Sequence, residues 1–151
     1  MTEPATTDDP QVAYEIAQQR IEEAERTGAT ELELHDLPLT ELPPEIGRLS
    51  RLEKLFLGAK VYWRETSKVR LTNLPPEIGQ LTNLVSLSLR QNKLLQLPPE
   101  IGQLTNLQLL YLMERRGRLP DLYETLANDR PHLFDHAERG HALRHRPQVY
   151  R

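Results

Sequence analysis

Eleven residues, LPPEIGQLTNL, stand at 74–84 and again, unchanged, at 97–107. A chain that copies itself at a short period stacks one small unit on the next, and each unit completes its core with its neighbour. That excludes most ordinary globular topologies. The hexapeptide LPPEIG occurs a third time at 42–47; 23 residues separate the last two copies and 32 the first two. Aligning Leu52, Leu55 and Leu57 on Leu84, Leu87 and Leu89 puts the excess of nine residues between Lys60 and Leu71, where the regular copy has only Lys93. The same register runs back to Leu32 and Leu34 and forward to Leu107, Leu110 and Leu112, giving about four coils, the first and last degenerate.

Within the regular copy the alternation LVSLSLR sends Leu87 and Leu89 inward and Ser86, Ser88 and Arg90 outward, the pattern of a short half-buried strand. In LPPEIG the paired prolines fix φ, Glu77 and Glu100 suit the first turn of a short helical segment, and Gly79 and Gly102 are placed to stop it in a left-handed conformation. Ile78, Leu81, Ile101 and Leu104 then close the core opposite the strand.

The copy LVSLSLRQNKLLQLPPEIGQLTN fits L-x-x-L-x-L-x-x-N-x-L and resembles the leucine-rich repeat family over about residues 30–119. Its LPPEIG variant is similar to the Ras-group type and to the repeats in front of the GTPase of bacterial Roco proteins. The resemblance implies an α/β repeat fold: a short solenoid with parallel strands on a concave face that recognises other proteins. The family's asparagine ladder is represented here by Asn92, with Leu37, Lys60 and Arg115 expected in that row of the other coils.

Terminal coils expose leucine edges and need covering. Residues 1–9 are expected to be disordered, and 10–28 to form a capping helix with Asp8 or Asp9 as N-cap, Pro10 in its first turn and Gly28 at its stop. Ala13, Ile16, Ala17, Ile21 and Ala24 make its apolar stripe. Repeats fill 29–119 with an insertion at 61–70, and 120–151 form a helical C-terminal cap and tail.

Composition narrows the function. There is no cysteine, so no disulfide, zinc-thiolate centre or thiol nucleophile. The acidic start lacks an apolar run and no stretch approaches a membrane span, so a cytoplasmic protein without membrane contact is expected. Residues 1–40 carry ten acids against Arg20 and Arg26, which disfavours nucleic acid. Neither a phosphate-binding G-x-x-x-x-G-K-[ST] loop nor a G-x-S-x-G elbow occurs, and His35–Asp36 reads as a turn. His132, His136, His141 and His145 stand in pairs four apart, which reads as a solvated basic end rather than a metal site; no cofactor is expected.

The alignment orders the outward strand positions into rows: Glu31, Lys54, Ser86 and Leu109; Glu33, Phe56, Ser88 and Tyr111; His35, Gly58, Arg90 and Met113. The insert, with KVYW and KVRL around RETS, is expected to form a hairpin that leaves Tyr62, Arg64, Lys68 and Arg70 exposed, with Trp63 either folded back over the repeats or presented to a partner at the rim. These features point to a non-catalytic protein-binding module, a monomer or weak homo-oligomer. It contacts its partner through Lys54, Phe56, Ser86, Ser88, Arg90 and Tyr111 on the strand face and through Tyr62, Trp63 and Arg64 on the insert. The alternative is a regulatory subunit or effector acting on an enzyme such as a small GTPase.

Overall fold

Three residues per repeat suffice to make a strand, because each strand's neighbours supply the hydrogen bonds it cannot make alone. The computed structural model describes residues 7–58 and 68–111. Its strands are β1 (Glu31–Glu33), β2 (Lys54–Phe56), β3 (Ser86–Ser88) and β4 (Leu109–Tyr111), all parallel, in the order β1-β2-β3-β4. Glu31, Lys54, Ser86 and Leu109 share one row of the register, and Glu33, Phe56, Ser88 and Tyr111 another. Between them Leu32, Leu55, Leu87 and Leu110 point into the core and are almost fully buried.

Across the core lie three short 3-10 helices, η1 (Pro44–Arg48), η2 (Pro76–Gln80) and η3 (Pro99–Gln103). Each begins on the second proline of LPPEIG. The first proline's carbonyl accepts from the isoleucine N–H, and the isoleucine carbonyl from the leucine that follows the helix, as in Pro75 to Ile78 to Leu81. Prolines supply the helical φ where no N–H is needed. Ile46, Ile78 and Ile101 face the leucines and are fully buried.

The glycine of LPPEIG has a different role from the one expected. Gly28 is the one glycine with positive φ among the described residues, so neither Gly79 nor Gly102 is a left-handed stop. Gly47 and Gly79 are instead points of close approach between successive helices. A Cβ on Gly47 would stand 2.9 Å from the Glu77 carbonyl, and one on Gly79 2.7 Å from the Glu100 carbonyl. The same atom on Gly102 meets nothing within 4 Å. Stacking, not backbone conformation, requires the residue.

A second ladder runs beside the helices. The Asn83 side-chain amide donates to the Ser50 carbonyl at 2.6 Å, and Asn106, its counterpart one repeat later, to Thr82 at 2.7 Å. Each satisfies a backbone acceptor of the repeat before it.

Before β1 runs helix α1 (Pro10–Thr27). Asp9 is its N-cap, accepting from Gln11 and Val12 N–H, and Gly28 ends it at φ 66°, donating to the Ala24 and Glu25 carbonyls. Ala13, Ala17, Ile21 and Ala24 join the same core cluster that reaches to Leu110, and the helix packs on η1 and β1. No helix among the described residues is long and apolar enough to cross a membrane.

Candidate interaction surface

The strand face away from the leucines can be built row by row. Lys54 and Glu31 are exposed neighbours in register; Glu33, Phe56, Leu109 and Tyr111 are half-buried. Ser86, Ser88 and Arg90, expected to face solvent, are instead 7%, 2% and 4% exposed. The serines are short and flanked in register by larger side chains, Lys54 and Leu109 for Ser86, Phe56 and Tyr111 for Ser88. Alternation decides which face a residue takes, while neighbours decide how much water reaches it.

Arg90 shows how a cation lies in such a surface. Its guanidinium carbon stands 4.6 Å from the centroid of the Tyr111 ring, so the electron-rich face offsets part of the desolvation. Beside it the backbone of repeat 2 is pressed close: a Cβ on Gly58 would fall 2.1 Å from the Arg90 carbonyl oxygen. Any residue but glycine there must push strand-end backbone aside.

The rim is organised by Asn92. Its amide donates to the Leu57 carbonyl at 2.7 Å and to Leu89 at 3.1 Å, while its carbonyl accepts from Leu71 N–H at 2.9 Å. Leu57 and Leu71 belong to the repeat before and stand on either side of the inserted residues, so one side chain bridges across the insertion.

Residues 68–71 are therefore part of the repeat framework. Lys68 N–H donates to the His35 carbonyl, Arg70 N–H to Leu39, and Lys93 N–H to Leu71. Val69, fully buried, stands in the Asn92 row where Lys60 was expected, beside Leu37 in repeat 1. A nine-residue excess can be cut from the alignment at several places, and the dry row selects valine over lysine. The excess thus lies before Lys68, and Lys68–Arg70 leave the predicted 61–70 insertion. Lys68 and Arg70 are exposed on either side of Val69. Tyr62, Trp63 and Arg64 lie outside the described residues, as do Met113, Arg115, the 120–151 segment and its four histidines.

Below the rim, Arg20 of α1 reaches the turn after β1. It donates to both Asp36 carboxylate oxygens, at 2.7 and 2.8 Å, and to the Glu33 carbonyl at 3.2 Å. The hydrogen bonds from Arg20 hold the Asp36 carboxyl below its ordinary range, against the opposing effect of burial. The same bonds raise the Arg20 guanidinium. Asp36 is thereby committed to fixing helix to repeat. Among the described residues no group of three His, Asp or Glu side chains is arranged to hold a metal ion.

Sequence reasoning passed over three of these features: the Asn83–Asn106 ladder, the reach of Asn92 across the insertion, and the Arg20–Asp36 pair. The first had a signal, since both asparagines occupy the same place in the two identical copies. Asn92 stood out as the asparagine of the repeat pattern, but its reach to Leu71 across the insertion did not, and the Arg20–Asp36 pair joins positions far apart in sequence and carries no signal.

No protein-family model matches the chain, and no curated protein matches it. Among solved structures, a leucine-rich repeat protein of Leptospira interrogans is 41% identical over 54% of this chain, with a TM-score of 0.40. The match spans 22% of the length of that protein.

Proposed function

We propose that the chain is a non-catalytic protein-interaction module of the leucine-rich repeat type, whose strand face is the concave side of a short solenoid. The observation that carries this is the sheet face itself. Lys54, Phe56, Leu109 and Tyr111 retain exposure in two adjacent rows, over a frame tied by ladder, asparagine and helix-stacking contacts. A preformed surface of mixed aromatic, aliphatic and charged groups binds a protein without a large ordering cost. Ser86, Ser88 and Arg90 form its floor, and Tyr62, Trp63 and Arg64 extend it at the rim. On this reading α1 and residues 120–151 close the two ends of the stack, and the LPPEIG motif favours kinship with the Ras-group and Roco-associated types.

Affinity capture from native lysate tests the reading, using wild type, Lys54→Glu with Phe56→Ser, and Trp63→Ala, all checked for folding by circular dichroism. A partner retained by wild type and lost from the strand-face pair supports the concave surface; loss from Trp63→Ala adds the insert. The same captured proteins with all three chains overturn the proposal.

A further inference from the structure

In the second and third repeats the turn that leaves the 3-10 helix reads Gln80-Leu81-Thr82-Asn83 and Gln103-Leu104-Thr105-Asn106. Both amides of each turn are committed to the repeat before. Asn83 and Asn106 donate to the Ser50 and Thr82 carbonyls. The Gln80 and Gln103 side chains lie across Gly47 and Gly79, their Oε1 atoms 2.6 and 2.8 Å from where a Cβ would stand. The first repeat has α1 in front of it instead of another repeat, and there the turn reads Arg48-Leu49-Ser50-Arg51. Two neutral amides are replaced by two guanidinium groups.

Both arginines line a cleft of about 360 Å³ between this turn and the last turn of α1. The backbone that carries them is fixed. Leu49 and Leu52 are buried, Ser50 N–H donates to the Arg48 carbonyl at 2.8 Å, and the Ser50 carbonyl accepts from Asn83. The Arg51 stem is laid along the stop of α1, where a Cβ on Gly28 would stand 3.1 Å from its Nη1 and 3.4 Å from its Cδ. Arg48, Ser50 and Arg51 are exposed, and among the described residues neither arginine side chain makes a hydrogen bond or an ion pair. Arg26, on the opposite wall, is held by Glu23 and adds no free cation. Against the two free guanidinium groups stand the Glu25 carboxylate, which shares the lining, and the carbonyl end of α1, equivalent to roughly half a negative charge. Two full positive charges exceed that sum. Two guanidinium forks and a hydroxyl on a preformed turn match an anion with several oxygens and more than one charge.

We propose that the cleft between α1 and the η1–β2 turn binds a phosphate group, with Arg48 and Arg51 as its charge partners and the Ser50 hydroxyl as a further donor. None of these residues lies on the strand face, so the site is independent of the protein-binding reading and its variants at Lys54, Phe56 and Trp63.

Calorimetric titration with inorganic pyrophosphate tests it, at low ionic strength, where charges on a surface are least screened. The central variant is Arg48→Gln with Arg51→Asn, which gives the first repeat the residues that the same turn already carries in the other two; circular dichroism checks its fold. Wild type should bind, and this variant should bind about tenfold or more weakly. Lys68→Gln with Lys93→Gln, an equal loss of charge at other exposed positions, should change the affinity by less than about twofold. Glu25→Gln removes the opposing carboxylate and should tighten binding by about threefold. A soluble phosphate and a lipid headgroup offer the same chemistry, so the same chains are also sedimented with phosphatidylcholine vesicles with and without phosphatidic acid. Pyrophosphate binding lost with the arginine pair assigns a soluble phosphate compound; loss seen only with the phosphatidic acid vesicles assigns a headgroup. No binding by wild type in either assay overturns the proposal, as does equal weakening by the arginine and lysine pairs, or an affinity that Glu25→Gln leaves unchanged.

Discussion

Gly79 and Gly102 are the same residue in the same eleven-residue sequence, yet they answer to different surroundings. Adding a methyl group at Gly79 forces it against the Glu100 carbonyl, and Gly79→Ala should lower stability by roughly 1–3 kcal/mol. Gly102→Ala, where the added carbon meets nothing within 4 Å, should be neutral or gain about 0.5 kcal/mol by restricting the unfolded chain. Urea midpoints at constant slope distinguish the two; equal losses would show that backbone conformation, not stacking, selects the glycine. Asn92→Ala leaves the Leu57 carbonyl and the Leu71 N–H without their side-chain partner and should cost about 2–4 kcal/mol by the same measurement. Identity of sequence made the repeat and its buried leucines legible at once. It hid this inequality, since what faces a residue across the stack is decided by the next copy.

At the level of the element, α1 is fastened twice, by its alanine and isoleucine stripe and by Arg20. The stripe was legible because apolar residues at helical spacing have few other uses. The arginine was not, because nothing in the sequence of a surface arginine names a carboxylate sixteen residues away. Arg20→Met should lower stability near neutrality by about 1–2 kcal/mol, the pair being partly shielded at 24% and 32% side-chain exposure. The pH dependence has a definite sign. Asp36 has a depressed folded-state pKa, so its contribution is complete above the unfolded value, near 3.9, and is lost as pH falls through the lower folded value. Arg20, raised from an already high value, titrates far outside that window. Denaturation midpoints of wild type and Arg20→Met should therefore converge in acid and separate above about pH 5; a constant gap across that range would exclude Asp36 as the cause. The insert shows the opposite limit of reading. Its length was visible from the spacing of LPPEIG, but its boundary was not, because lysine and valine both fit the pattern until Val69 is seen in a dry row.

For the whole molecule, one cluster from Ala13 to Leu110 means that α1 and the repeats share a core rather than touch across an interface. Stability in stacked repeats is close to a sum over neighbouring contacts, so removing one neighbour is felt by the unit beside it. A protein lacking residues 1–28 should lose cooperative thermal unfolding by circular dichroism, because Leu32 of β1 and Ile46 of η1, on the two elements that α1 packs against, would lose the helix from their cluster. A sharp transition retained without α1 would show the repeats to be self-sufficient. Parallel order and register were legible because the leucine spacing admits one alignment of the strands. The burial of Ser86, Ser88 and Arg90 was not, because exposure is a property of the assembled face and alternation reports only direction.

One contact within that assembly sets how freely the chain can vary. Asn92 grips Leu57 and Leu71, which stand on either side of the insertion, from a different repeat. Lengthening a closed loop costs little, about 0.6 kcal/mol for each doubling. With its ends pinned by a neighbour, the loop's content is uncoupled from the frame's integrity. The position behaves as a socket: substituted sequences or whole foreign segments can be fitted there, by selection or by engineering, while the repeats beneath keep their register.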